Sequence, residues 1–243
     1  MLRSAAVVTD RVPHVSFVIP VFDEEPILFA AILELRENLG PLGLDYEVVL
    51  AENGSRDATP HIAAKLAARF ADIRVSSTPE PNYGAALRKG IEEARGEIVI
   101  CEEIDLCDVD FHRRALAILD RDEADLVVGS KLVAGAQDVR PATRHAASLL
   151  YSSMLRWVLG FQGTDTHGLK AMRRDRILPV VRACIVDKDV FASELVIRAE
   201  RAGLRIVEIP VRVLEKREPS INLLSRIPSV ISRVARLYRA LGR

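Results

Sequence analysis

Residues 98–110 read IVICEEIDLCDVD, a short apolar run ending in five carboxylates within nine residues: Glu102, Glu103, Asp105, Asp108 and Asp110. Like charges at this density repel one another unless a cation sits among them. Along an extended segment, residues i and i+2 point to one side, so Glu103 and Asp105 can aim at a common point while Ile104 turns to the core. Two protein oxygens, with the remaining positions left to water and phosphate oxygens, suit Mg²⁺ or Mn²⁺ bound with a nucleotide diphosphate. The plainer alternative is an acidic loop capping the next helix, a role that suits Asp108 and Asp110.

The scaffold beneath these residues can be read from the periodicity. β-branched runs at 14–22, 46–51, 73–77, 97–102 and 125–130 alternate with segments of helical spacing at 26–40, 57–70, 83–94 and 111–120. Pro26 opens the first helix, Gly40 stands just past its end, and Asp57 or Thr59 can cap the second. This alternation predicts an α/β fold with a mostly parallel central sheet flanked by helices. After residue 130 the rhythm breaks: 132–145 reads as a mobile loop, 146–159 as a helix, 160–168 as a turn, then a strand and helix to about residue 183. Next come a helix at 191–203 and two short strands at 204–216, divided by Pro210.

In an open parallel sheet, ligands bind beyond the carboxyl ends of the strands, where helix N-termini and loop amides converge. Three acidic segments fall there: PVFDEE (20–25), ENGSRD (52–57) and EEIDLCD (102–108). Two further groups lie downstream. Lys131, Arg140 and Arg144 belong either to a solvated loop or to a phosphate clamp, and GTDTHGLKAM (163–172) offers Asp165 and His167 as a plain turn or a closing loop. His14, His61, His112 and His145 fall in no motif and read as structural or surface residues.

Taken in order, PVFDEE, ENGSRDAT, NYGAALRKGIEEARGEIVICEEIDL and DLVVGSK resemble the motifs of inverting family 2 glycosyltransferases with the GT-A fold. The branch they are most similar to is that of the dolichyl-phosphate mannose synthases and other polyprenyl-phosphate glycosyltransferases, over roughly residues 15–215. The resemblance implies that Pro20, Val21, Phe22 and Glu24 line the nucleoside pocket. Glu52 and Asn53 stand where the family usually has two aspartates, the first contacting the base. Asn82 and Gly84 match the segment beneath the sugar nucleotide, and Glu103 and Asp105 the Asp-x-Asp metal motif. Arg144 matches the position that meets the acceptor phosphate, and Lys131 stands where arginine is common. Asp165 matches a late acidic loop that closes over donor and acceptor, with His167 near the diphosphate or the metal. Glu103 has a longer arm than the usual Asp, Asn53 lacks a carboxylate, and Cys107 replaces an amide often found in the mannose synthases. A thiol is a poor partner for a hard cation.

The reaction so implied moves a mannose- or glucose-class sugar from a GDP- or UDP-sugar to polyprenyl phosphate, a divalent ion neutralising the departing diphosphate. An anionic lipid phosphate needs no general base, only cations to steer it. Transfer to a hydroxyl of a glycan or glycolipid needs a base, for which Asp165 is the candidate. A degenerate nucleotide-sugar binding module, motivated by Glu103 and Asn53, would bind without turnover.

The 34 basic and 34 acidic residues balance, which gives no reason to expect a nucleic-acid partner. From Arg217 onward, however, six arginines stand against the single acid Glu218, and 221–243 has the spacing of a basic amphipathic helix. The chain thus divides into a catalytic domain, 1–216, and a helical tail, 217–243, which either docks on the domain or lies in a membrane interface. Three cysteines without a CxxC favour a reduced setting, and the N-terminus lacks the apolar run of a signal peptide. With no stretch near the roughly 20 apolar residues that span a bilayer, the expected place is cytoplasmic and peripheral, at the inner face of the membrane.

Overall fold

The computed structural model describes residues 12–186, 188–213 and 223–241. VSFVIPV forms β1 (Val15–Val21), buried at every position, as a strand covered on both faces must be. It pairs in parallel with β2 (Tyr46–Asn53), which pairs in parallel with β3 (Ile73–Thr78), and on its other side with β4 (Ile98–Cys101). Farther along come β5 (Leu126–Ser130), β6 (Gln137–Asp138), β7 (Lys170–Arg173), β8 (Ile206–Pro210) and β9 (Arg212–Val213). The large sheet has the order β3-β2-β1-β4-β7-β5-β8, and β6 pairs separately with β9. β7 is antiparallel to both β4 and β5, whereas β5 and β8 are parallel, so the expected mostly parallel sheet contains one reversed strand.

The helices are α1 (Leu28–Leu39), α2 (Thr59–Arg69), α3 (Tyr83–Glu93), α4 (Val109–Asp120), α5 (Ala142–Leu159), α6 (Arg174–Ala183), α7 (Phe191–Arg201) and α8 (Leu223–Leu241). Alternate β1 residues feed two cores, one on each face. Phe17 and Ile19 meet α1, α2 and α4, while Val18 meets the side built from α3, α5, α6, α7 and α8. β7 comes close to β5 because residue 168 is glycine: an added Cβ would overlap the Gly129 carbonyl. Gly168→Ala should therefore destabilise the fold by about 2 kcal/mol in urea unfolding.

The segment expected as a mobile loop, 132–145, is ordered by one carboxylate. Asp138 Oδ1 and Oδ2 each accept from the Arg140 guanidinium at 2.7 Å, and the His145 ring lies 3.1 Å from Oδ2. β6 therefore forms, and α5 begins at Ala142 behind Pro141, placing Arg144 and His145 in its first turn. α8 packs on the domain, with Val234 and Leu237 buried in the same core as Leu155 and Leu159 of α5. Its inner face thus takes the first of the two roles expected of the tail; the boundary drawn at residue 216 lies outside the described residues.

At the opposite end of the sheet, the Arg205 side chain donates to Asp125 at 2.8 and 3.1 Å and the Arg205 amide at 2.9 Å. These bonds hold the Asp125 carboxyl down at about 2. A carboxylate depressed in the folded state stabilises above its unfolded pKa, and that contribution fades as pH falls through the folded value. Asp125→Asn should lower Tm at neutral pH, and the deficit should shrink between about pH 4 and pH 2.

Candidate active site at the strand tips

The loops after β1 and β2 are laced together. Asp23 Oδ1 accepts from the Arg56 amide at 2.7 Å, the Glu24 amide donates to Thr59 Oγ1 at 2.8 Å, and the Ala58 amide donates to Glu25 Oε2 at 3.0 Å. Asp57 accepts from the Glu25 amide at 3.0 Å and the Thr59 amide at 2.9 Å. The slight loss of water around Asp57 is outweighed by these bonds and one from the Thr59 hydroxyl, so its carboxyl is lowered. Several acids of PVFDEE and ENGSRD are therefore spent on shaping the rim. Pro20 and Val21 are buried beneath it, Phe22 is exposed, and Glu24 is half-buried.

Glu52 and Asn53 close the end of β2, both buried. Glu52 Oε1 accepts from the Ser55 amide at 2.6 Å, and Asn53 Oδ1 accepts from the Asn82 amide. Asn82 in turn caps α3, its Oδ1 accepting from the Ala85 amide at 3.1 Å and the Lys188 amide at 2.9 Å. Asn53 thus does as an acceptor what an aspartate would do, so the departure leaves this linkage intact. A Cβ on Gly84 would lie 2.6 Å from Phe191 Cβ and 2.7 Å from the Lys188 nitrogen. The space beside Gly84 is filled by the chain itself, and the glycine is required by that close approach.

β4 stops at Cys101, and the chain beyond it is not extended. The Leu106 amide donates to the Glu103 carbonyl at 3.0 Å and closes a turn, which corrects the expectation of strand-like alternation. Glu103 and Asp105 stand first and third in that turn and line one cleft. Crowding by surrounding atoms pushes the Glu103 carboxyl up, even though the residue as a whole is exposed. Repulsion from Asp105 and Glu24 adds to this, and the Tyr83 hydroxyl, donating to Oε1 at 2.7 Å, opposes it. Ile104 is half-buried against the core, as expected. A cleft of about 420 Å³ opens beside this tip, lined by Ile27 and Ala31 together with Glu103, Asp105 and Cys107.

The donor chemistry fits a divalent cation. Glu103 and Asp105 supply hard oxygens from one turn, and repulsion from Asp105 and Glu24 acts on the Glu103 carboxyl. Among the described residues no group of three or more His, Cys, Asp or Glu can hold a metal by itself. An ion here would accordingly draw the rest of its shell from phosphate and water. Cys107 Sγ lies 3.9 Å from Asn38 Nδ2 on α1.

Beneath the tip is a pair that had no sequence signature. Glu102 Oε1 accepts from the Asp108 amide at 3.1 Å and lies 3.1 Å from His112 Nε2, with both side chains buried. Burial raises the Glu102 carboxyl, against the pull of His112. The pair anchors the acidic loop from below, while Asp108 caps α4 by accepting from the Phe111 amide at 2.9 Å.

The reversed β7 brings the 163–169 loop to the same rim. Asp165, 3% exposed, accepts from Lys131 Nζ at 2.6 Å and from the His167 amide at 2.9 Å. Burial alone would raise its carboxyl, but the Lys131 charge and hydrogen bond outweigh it and the carboxyl is lowered. Glu208 on β8 steadies the loop, accepting from the Thr164 amide at 2.7 Å and the Asp165 amide at 3.1 Å. His167 is exposed, its ring edge-on to Tyr151 with centroids 5.0 Å apart. Lys170, opposite Cys101 in register, is buried and donates to the Gly168 carbonyl at 2.7 Å. Burial draws its ammonium down, and Asp165, Lys131 and Glu103 all lie within electrostatic reach of it. The basic cluster is therefore partitioned: Lys131 goes to Asp165, Arg140 goes to Asp138, and Arg144 is half-buried at the start of α5.

The chain is similar to known proteins in sequence and in fold. Glycosyltransferase AglD of Haloferax volcanii is 30% identical over 97% of this chain, although the chain spans only 39% of that protein's length. A dolichyl-phosphate beta-glucosyltransferase of Trichomonas vaginalis is 26% identical over 93% of the chain and 74% of its own length. The glucosyl-3-phosphoglycerate synthase of Mycobacterium tuberculosis, solved with uridine diphosphate, superposes with TM-score 0.64 at 22% identity, covering 93% of this chain and 80% of that one. The same protein with Mn²⁺ and UDP-glucose gives TM-score 0.61 at 19% identity, covering 92% and 79%. The fold is therefore shared with a nucleotide-sugar enzyme. The model of the family described as Glycosyl transferase family 2 matches residues 16–179, most of the sheet and its strand tips, and the chain belongs to that family.

Proposed function

We propose that this chain transfers a sugar from a nucleotide-diphosphate sugar to a polyprenyl phosphate, with a divalent cation, Mg²⁺ or Mn²⁺, held by Glu103 and Asp105. A cation bound there supplies Lewis-acid neutralisation of the departing diphosphate. The chain's own residues do the rest. The linked loops after β1 and β2, with Phe22, Glu24 and Glu52, would receive the nucleoside at the strand tips, beside the cleft. Lys170 and Lys131 place positive charge behind the carboxylates, and Arg144 on α5 steers the anionic acceptor.

The observation that carries this reading over transfer to a hydroxyl is the 2.6 Å bond between Lys131 Nζ and Asp165. A general base works best with a pKa near the operating pH. Asp165 is held ionised and acidic by Lys131, which suits a positioning role and makes it a weak base. A lipid phosphate needs no base. The similarity to a dolichyl-phosphate beta-glucosyltransferase supports the same acceptor class. The test is incubation with UDP- and GDP-sugars, Mg²⁺ or Mn²⁺, and either polyprenyl phosphate or the matching polyprenol. New glycolipid from the phosphate alone is the expected result. Product from the polyprenol would favour the hydroxyl reading, and nucleotide binding without product under any metal would favour a binding module.

A further inference from the structure

α5 has two sides with opposite characters. Its inner side carries Leu155 and Leu159 into the core, and Tyr151 meets His167 at the candidate site. Its outer side exposes Leu149, Leu150 and Val158, with Leu150 at 74% and Trp157 at 94%. Leu150 and Trp157 are seven residues apart and share one helical face with Ala146 and Ser153, which are also exposed. α8 packs beside α5 in the same core and exposes Ile231 and Arg236.

Neither helix contains a carboxylate in its 18 and 19 residues, in a chain that carries 34 acids in 243. The charges they do carry are arginines: Arg144 and Arg156 on α5, and Arg226, Arg233, Arg236 and Arg239 on α8. Exposed tryptophan and leucine flanked by arginine, with no acid, is the composition that settles at the headgroup level of an anionic bilayer. A second copy of this chain is disfavoured as the occupant, because a symmetric contact would set arginines against arginines.

We infer that the outer faces of α5 and α8 together form a membrane-docking surface for anionic lipid, anchored by Trp157 and Leu150. This rests on the proposed function for its purpose: α5, which carries Arg144 and meets the 163–169 loop through Tyr151, would hold that loop's side of the strand tips against the bilayer that contains the acceptor. The surface itself stands on exposure and charge alone.

Trp157 is the single tryptophan of the chain, so its fluorescence reports this surface without labelling. The full chain should co-sediment with vesicles of phosphatidylcholine and phosphatidylglycerol, with Trp157 emission shifted to the blue. Binding should weaken in about 0.5 M salt, where screening shortens the reach of the arginines. Leu150→Ser, followed by fluorescence, and Trp157→Ser, followed by sedimentation, should each weaken vesicle binding about tenfold. UDP or GDP binding and transfer to acceptor in detergent should be unchanged in both. Unshifted emission with no co-sedimentation overturns the inference, as does a blue shift that grows with protein concentration in the absence of lipid. Vesicle binding without any sugar transfer would sink the proposed function and leave this surface standing.

Discussion

Asp105→Asn lowers kcat/KM by about 10³-fold, the scale expected when a group that offsets transition-state charge is lost. The substitution keeps the shape of a half-buried side chain and removes one of the two charges in the Glu103–Leu106 turn. Unfolding in urea should be little changed, because relieving the repulsion with Glu103 offsets any lost contact. The loss should recover in part as Mn²⁺ is raised, which a purely structural defect would not do. Glu103→Asp is the milder companion. It retains the charge but draws the carboxylate away from the Tyr83 hydroxyl, now 2.7 Å from it, and should cost about tenfold. Full activity in Asp105→Asn at ordinary metal concentration would remove the cation from this site.

The sequence was most legible where one rule acted alone. Apolar β-branched runs between amphipathic segments sufficed to place β1 to β5, because β1, β2, β4 and β5 are buried almost throughout and each helix buries one face. The caps at Asn82 and Asp108 accord with residue type and spacing. Legibility failed where distant residues decide a local conformation. Nothing near 132–145 announces that Asp138 will gather Arg140 and His145, and so a built strand and helix start resembled a loop. The turn after Cys101 overrode strand alternation. The reversal of β7 depends on Gly168 fitting against the Gly129 carbonyl, a contact 39 residues away in sequence that no local pattern encodes. Lys170, Glu208 and the Glu102–His112 pair carry no local signature for the same reason: Lys170 and Glu208 are polar residues in apolar strands whose partners come from other elements, and Glu102 differs from its acidic neighbours only in turning inward to His112 of α4. A lysine inside the strand KAMR is the one local signal that could have been weighed, since buried lysines are rare unless a carboxylate is near.

Lys131→Met and Asp165→Asn should fail together and not add. Each leaves the other member of a nearly buried pair facing a neutral side chain, 9% and 4% exposed as they stand, at a stability cost of about 3 kcal/mol. Each should also lower kcat/KM about 100-fold, because the pair fixes both the end of β5 and the loop that Glu208 holds from the other side. The double variant should be no worse than either single one, with a coupling of about 3 kcal/mol in a double-mutant cycle on unfolding. This separates positioning from base catalysis. Were Asp165 a general base, Asp165→Asn would lose far more activity than Lys131→Met and would abolish the acid limb of the pH profile. In the paired arrangement both variants lose alike at neutral pH; in Asp165→Asn the limb stays where the parent has it, because the parent's Asp165 carboxyl is already held below the ordinary aspartate range, whereas in Lys131→Met burial is no longer opposed by Lys131 and the Asp165 carboxyl moves up. A double variant whose activity falls by the product of the two single losses would mean that Lys131 and Asp165 act independently, and the 2.6 Å bond between them would then have no part in the chemistry.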